Sequence, residues 1–412
     1  MANTFNVSSL VSKSVVAPLH AEGKLINTCG TEYKKDFIQK TYTPGTTIKI
    51  DKGPQLQVTQ GRVANVQDIE HASQDVTILQ YNEAISATSI EKSYSMDSEE
   101  DMLRLGRDMG RRMLREVERT GFEAIAKAVG QFVGSVGVEP GALRLFGQGA
   151  AFLDNSLAPS ADRYAAISPL GQVELIDSLK NANNPTASIS NQYLKGSMKE
   201  AMNLNFYSSP SVYRATLGTA TNATPLINGA ISANNTSTIA IDGLSSATAT
   251  ILAGTKFTIG VVGTATAVYA VDPETKAQLP YLRQFTVVSN ATGSGSAIAA
   301  LQISPAIYGP TSQHQNVSQF PTDNAEIVLQ LGSITAGSSY TQNVIYQKDA
   351  VQLIAVPLKA EDDQKMVNYN GLPVRVGMGA WDAVNDNRIL RVDAVWAWVV
   401  TRPDHCAVVL GA

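Results

Sequence analysis

Four histidines, His20, His71, His314 and His405, are the side chains best suited to proton transfer or metal binding, yet they are scattered along the chain. No His-Glu-x-x-His pair occurs, and no His/Cys cluster has zinc spacing. Each histidine therefore reads as a lone surface residue. Cys29 and Cys406 lie near opposite ends and form no Cys-x-x-Cys pair, which fits a reducing cytoplasm without a disulfide framework. Gly134-Ser135-Val136-Gly137 falls one residue short of a nucleophile elbow and reads as a loop at a helix end. Gly377-Met378-Gly379-Ala380-Trp381-Asp382 echoes a dinucleotide loop but lacks the third glycine, so it reads as a turn or bulge. Glu361-Asp362-Asp363 and the Asp382/Asp386 pair lack the glycine and terminal glutamate of a calcium loop and read as solvated loops. These residue types and spacings give no catalytic constellation, no metal site and no cofactor site. The chain is expected not to be an enzyme.

The densest charge lies at Arg104, Arg107, Arg111, Arg112, Arg115 and Arg119. Two kinds of contact suit such a row: nucleic acid, or neighbouring subunits through ion pairs. Glu100, Asp108, Glu116 and Glu118 interleave with it and dilute the positive field. Subunit contacts are the favoured reading, with Arg104, Arg107, Arg111 and Arg115 as candidates. Trp381, Trp396 and Trp398 stand among small residues on predicted strands and read as core.

The arginines sit on the clearest predicted element. Asp97 with Glu100 forms a capping box, and helix-favouring sequence then runs to about Val129. Met102, Leu105, Met109, Met113, Val117, Ala124 and Ala128 recur at three- and four-residue steps, which makes them the inward face. Glu100 with Arg104, and Asp108 with Arg112, are expected i,i+4 pairs. Gly106, Gly110 and Gly121 lower the helix propensity and point to a bend or a close neighbour.

Ahead of the helix, residues 1–40 have little periodicity and read as an arm without its own core, packed on neighbours. Residues 41–82 read as a long β-hairpin, with strands at Thr46–Ile50 and from Val76, and turn signals at Asp51-Lys52-Gly53-Pro54 and Gln60-Gly61. Apolar residues there are sparse, so the hairpin needs a partner surface. Lys49, Asp51 and Lys52 join the candidate subunit contacts. After the helix, Leu143–Phe152 reads as helix and Arg163–Ile167 as a buried strand. Ser168-Pro169 opens a helix to about Lys180 with proline at its first position.

At Arg214 the composition changes. From Ala215 to Tyr340 the charged residues are Asp242, Lys256, Asp272, Glu274, Lys276, Arg283, Asp323 and Glu326, and Ala, Thr, Ser, Gly and Asn dominate. Short β runs recur at Thr238–Ile241, Lys256–Val261, Val268–Val271, Gln284–Val288, Ala300–Ile303 and Glu326–Leu329, with no helical period. This is an all-β module, a small barrel or sandwich. Mixed character then returns, with strands at Val351–Pro357, Leu372–Val376, Ile389–Val400 and Cys406–Leu410. The module therefore interrupts one core, giving an α+β chain divided as 1–40, 41–82, 83–214 with 341–412, and the insertion 215–340.

The formal net charge of −4 lacks the basic surplus of a dedicated DNA binder. The first residues show no signal peptide, and no apolar run reaches the roughly 18 residues of a membrane span. Sequons at Asn6, Asn222, Asn234, Asn290 and Asn316 read as chance matches in an Asn/Ser/Thr-rich chain.

Arm, hairpin, long helix, α/β unit, β insertion and strand-rich C-terminus, in that order, resemble the HK-97-type capsid fold. The likeness is to short-tailed phage coat proteins with an inserted β-barrel. Arg104 to Arg119 resembles the family's spine helix. Tyr164-Ala165-Ala166-Ile167-Ser168-Pro169 resembles its strand-to-helix step. Gly254-Thr255-Lys256-Phe257-Thr258-Ile259 and Tyr269–Lys276 followed by Leu282–Val287 resemble strands of its insertion. Thr401-Arg402-Pro403-Asp404 resembles its ending. The first forty residues do not align.

The resemblance implies an extended E-loop, P and A domains, and a major capsid protein located in the virion. By that likeness it forms hexamers and pentamers, closing an icosahedral shell with a scaffolding protein and a portal protein in the bacterial cytoplasm. It encloses double-stranded DNA without sequence-specific binding and touches no membrane. In relatives scaffold docking uses charged residues near the arm, which makes Glu22, Glu32 and Asp36 candidates. Two rivals stay open: a phage tail or tube protein, against which the long helix argues, and an enzyme with a β accessory domain.

Overall fold

The computed structural model describes residues 14–15, 17–19, 22–30, 45, 47–52, 62, 72–88, 99–178, 200–220, 224–332, 334–360, 364–369, 371–379, 382, 384 and 387–411. The chain forms two compact units, one of Met1–Ile50, Gln74–Gly121 and Val351–Val399, the other of Asp51–Ser73, Phe122–Ala350 and Val400–Ala412. Among the described residues no helix is long and apolar enough to cross a membrane.

The first unit is a sheet with a helix on it. The long helix runs Glu99–Ala128, as its periodicity predicts, a length of roughly 45 Å. The Asn387–Val400 strand is the centre of the sheet. It pairs with Leu372–Met378, with Leu79–Thr88 and with Val351–Ala355, and Gln364–Tyr369 forms the far edge. Ten antiparallel pairs, from Asn387 opposite Thr88 to Trp396 opposite Leu79, fix its register. Gly377 and Met378 of the Gly377–Asp382 motif end the Leu372–Met378 strand, and Gly379 N–H donates to Ile389 O at 2.7 Å; Ala380 and Trp381 lie outside the described residues. Trp396 and Trp398 bury their rings, and their indoles donate to Thr120 Oγ1 and Val117 O of the helix. A buried tryptophan needs such a partner for its N–H. Both are core, as their strand pattern predicts; Trp381 lies outside the described residues.

Met109, Met113 and Val117 are buried along the helix as expected. Ala124 and Ala128 are not fully buried. Phe122, Ile125 and Ala126 take their place, because 3.6 residues per turn carries the buried stripe around a straight helix. The expected Asp108–Arg112 pair does not form. Arg112 reaches Glu83 on the sheet at 2.7 Å, and Asp108 lies 3.8 Å from Arg111. Asp97 and the Glu100 side chain lie outside the described residues.

The described part of the arm also differs from expectation. Val15, Leu19, Leu25 and Ile26 are fully buried on their own chain. Gly30 bridges Gln352, and its N–H donates to Val351 O. Glycine makes the approach possible: a Cβ at Gly110 would stand 2.1 Å from Val15 O, and one at Gly121 would meet Leu25 and Trp398. The close-neighbour reading of both glycines holds.

The second unit has a six-stranded mixed sheet in the order Phe132–Val133, Cys406–Val409, Asn343–Gln347, Arg163–Ile167, Leu204–Ser208, Glu200–Ala201. Helix Leu143–Asn155 covers a core of Leu145, Phe146, Leu153, Ile167, Leu175, Phe206, Ile345 and Val409. Arg163–Ile167 and Leu204–Ser208 are parallel, and parallel neighbours need a crossover. Helix Pro169–Ser178 provides it. Ser168 Oγ caps that helix by accepting the Gly171 N–H at 2.9 Å.

The insertion is a closed barrel. Strands Ile327–Leu329, Lys256–Ile259, Gln284–Val287, Ile298–Ile307, Thr236–Asp242 and Leu226–Ile227 are hydrogen-bonded in that order. The ends then meet: Ile227 N–H donates to Ala325 O and Ile327 N–H to Pro225 O. Ile239, Ile241, Phe257, Ile259, Phe285, Val287, Leu301 and Ile303 fill it. All six predicted β runs are strands. The sequence reading missed short strands such as Thr250–Ile251 and Ala291–Thr292, which hold too few residues to alternate. Arg214–Thr216 and Ser339–Thr341 pair antiparallel as the stem of the insertion.

Candidate assembly surface

Arg104, Arg107, Arg111 and Arg115 recur at three and four residues, so they share one helix face. All four are exposed. Arg111 alone of them is engaged, by Glu22 at 2.9 Å, and that hydrogen bond raises the guanidinium pKa further. Among the described residues Arg104, Arg107 and Arg115 have no ion pair. Arg119 folds back on Glu116 at 2.6 Å and holds that carboxyl below its ordinary value. Among the described residues the stripe therefore offers three cations without an ion pair, with Arg111 held by Glu22.

Lys49, Asp51 and Lys52 lie on the Thr47–Lys52 strand, which pairs with Ala72–Thr77. Their side chains lie outside the described residues, as do Glu32, Asp36, His20, His71, Gly53-Pro54, Gln60-Gly61, Glu361-Asp362-Asp363 and Asp386. Glu22, a scaffold candidate, is brought onto the arginine stripe.

Two carboxylates matter more than the sequence reading allowed. Glu118, treated there as one of the acids diluting an exposed face, is buried. Its Oε1 accepts the N–H of Lys24 at 2.7 Å and of Leu25 at 3.1 Å. Its position one residue past Val117, next to the inward stripe, is the signal that identifies it. Asp393 is also buried, opposite Arg375 on the next strand. It accepts from Arg375 at 2.8 Å and from Arg391 at 2.7 Å. Arg391 two residues ahead of Asp393 on a predicted strand is visible in sequence, but the pairing with Arg375 and the burial are not.

His405 is buried, not on the surface as expected, because its short 3-10 turn leads straight into the central Cys406–Val409 strand. Desolvation first, then Arg402, lowers its pKa. Burial raises the Cys406 thiol well above its ordinary range. A neutral imidazole beside a locked thiol is the opposite of an activated nucleophile. Among the described residues no group of three or more His, Cys, Asp or Glu is placed to hold a metal ion. Sequon residue Asn316 is buried, its amide spent on Ala306 O and Tyr308 N–H.

No curated protein sequence matches the chain. Solved structures with similar folds include one from Mycobacterium phage Che8, at 10% identity over 94% of this chain and 91% of that chain with a TM-score of 0.48. The capsid of cyanophage P-SCSP1u matches at 10% identity over 90% and 85%, with a TM-score of 0.41. The mature capsid of bacteriophage PhiM1 matches at 11% over 90% and 82%, with a TM-score of 0.40. The family model described as "P22 coat protein - gene protein 5" matches residues 91–411. That span takes in the long helix, the second unit's sheet, the first unit's sheet apart from its Leu79–Thr88 strand, and the whole barrel, and with it the chain belongs to the P22 coat protein family and serves as a major capsid protein that forms the shell.

Proposed function

We propose that the chain closes an icosahedral shell around the double-stranded DNA of a tailed phage, as hexamers and pentamers. In this reading assembly takes place in the bacterial cytoplasm with a scaffolding protein and a portal protein, DNA is enclosed without sequence recognition, and the chain carries out no catalysis. The family match over residues 91–411 carries the proposal. The net charge of −4 supports a wall that confines DNA without gripping it.

The order of the described Thr47–Lys52 and Ala72–Thr77 strands, the long helix and the core around the barrel supports an HK-97-type subunit. The proposed division is 1–40, 41–82, 83–214 with 341–412, and 215–340. The paired stem at Arg214–Thr216 and Ser339–Thr341 supports the limits of the insertion. Arg104, Arg107, Arg111 and Arg115, with Lys49, Asp51 and Lys52, are the proposed subunit contacts. Glu22, Glu32 and Asp36 are the proposed scaffold contacts. Each contact can be weak, because closure multiplies it.

The test is expression alone and with a scaffolding protein, followed by gradient sedimentation and negative-stain microscopy. Shells or spirals are the expected particles, with regular closure only beside the scaffold. A triple Arg104→Glu, Arg107→Glu, Arg115→Glu chain should stay folded by circular dichroism and remain small. A wild-type chain that stays monomeric at high concentration with scaffold present overturns the reading.

A further inference from the structure

The last carbonyls of a helix have no partner within it. At the end of the long helix they are met by side chains of the inserted barrel. Lys256 is fully buried, and its Nζ donates to Ala126 O at 2.7 Å and Val129 O at 2.6 Å. Its third acceptor is Thr286 Oγ1 at 3.1 Å, on the residue directly opposite in the next strand. Ser304 Oγ donates to Ala128 O at 2.6 Å. Gln284 treats Phe132 as a neighbouring strand would: its Oε1 accepts the Phe132 N–H at 2.8 Å and its Nε2 donates to Phe132 O at 3.0 Å.

These three residues come from three adjacent strands of the barrel, Lys256–Ile259, Gln284–Val287 and Ile298–Ile307. Together they cover the chain from Ala126 to Phe132. Gly130, in the middle, admits the approach: a Cβ there would stand 2.5 Å from Gln284 O and 2.7 Å from Pro305 Cδ.

We infer that the inserted barrel is the C-terminal cap of the long helix, with Lys256, Gln284 and Ser304 holding the last carbonyls and the first residue of the Phe132–Val133 strand. Helix ends are ordinarily closed by a local turn or by glycine. Here residues more than a hundred positions away close it. The cap decides where the helix stops and aims the chain at Phe132–Val133, which then pairs in parallel with Cys406–Val409. Lysine suits the task because the helix C-terminus carries partial negative charge. Three acceptors surround Nζ, and burial draws its pKa well below the ordinary lysine value.

The test is hydrogen exchange by mass spectrometry on the full-length monomer, read on peptides covering 122–133. Gln284→Ala with Ser304→Ala should raise exchange there about five- to tenfold per hydrogen bond lost. Lys256→Met should do the same, and Ser304→Thr should keep wild-type protection. Asp323→Ala is the control. It removes the acceptor of the Gly229 N–H elsewhere in the barrel and should leave 122–133 unchanged. Unchanged protection in both the double variant and Lys256→Met overturns the inference. So does an Asp323→Ala effect as large as theirs, or a Ser304→Thr effect as large as that of alanine.

Discussion

Glu22 and Arg111 lie 2.9 Å apart and tie the segment before the Leu25–Thr28 turn to the exposed face of the long helix. Both side chains are about half exposed (46% and 49%), so solvent screens the pair. Replacing either by alanine is expected to leave the melting temperature within about 2 °C of wild type. Thermal melts of Glu22→Ala, Arg111→Ala and the double variant check this. With folding intact, any loss of particles in these variants reports on contacts between molecules.

Glu118 is the stronger tie. It is buried and accepts two backbone N–H groups, so its loss leaves donors at Lys24 and Leu25 without this acceptor. Glu118→Ala is expected to cost about 1–3 kcal/mol. Glu118→Gln, which keeps an acceptor oxygen, should cost less. Urea unfolding gives the difference, and limited proteolysis should show residues 22–30 cut first in the alanine variant.

Gly110→Ala has an unusual expected sign. In an exposed helix interior this change stabilises by about 0.5–1 kcal/mol. Here the new Cβ would stand 2.1 Å from Val15 O, and a backbone atom cannot step aside cheaply. The variant should melt below wild type and expose the Val15–Leu19 segment to protease. A higher melting temperature would show that the segment does not press on the helix.

His405 sets a dependence on acid. Its folded-state pKa is lowered from 6.5 by desolvation and by Arg402, against the opposing pull of Asp404. As pH falls below about 6.5 the unfolded chain takes up a proton that the folded chain resists, so stability drops until pH passes the folded value. His405→Asn should remove this part of the slope. Melting curves from pH 7.5 to 5.5 should show wild type losing more than the variant, and parallel slopes would contradict the assignment.

The long helix, the Arg163–Ile167 strand and its proline-started helix, and five of the six barrel strands, all but Leu226–Ile227, were legible in sequence. Each carries its own period or cap within one continuous stretch. The shared face of Arg104, Arg107, Arg111 and Arg115 was legible for the same reason, since it needs only helical spacing. What sequence could not give were roles set by contacts between distant segments. Glu118 looks like any surface acid until Lys24 and Leu25 are brought to it. Lys256 looks like a solvated charge in a poorly charged module until the helix end covers it. His405 was misjudged because three residues of 3-10 turn leave no period from which to read burial. Strands of two residues, such as Thr250–Ile251, owe their existence to their partners.

The stem of the insertion has a consequence for engineering. Thr216 and Ser339 face each other across an antiparallel pair, so the chain leaves and re-enters the core at neighbouring points, about 5 Å apart by strand geometry. Any domain whose own ends lie side by side matches that doorway, and a foreign module displayed there would not need to stretch the host sheet. The limit on such grafts lies elsewhere: a replacement that lacks counterparts of Lys256, Gln284 and Ser304 would fit the doorway and leave the helix beneath it unfinished.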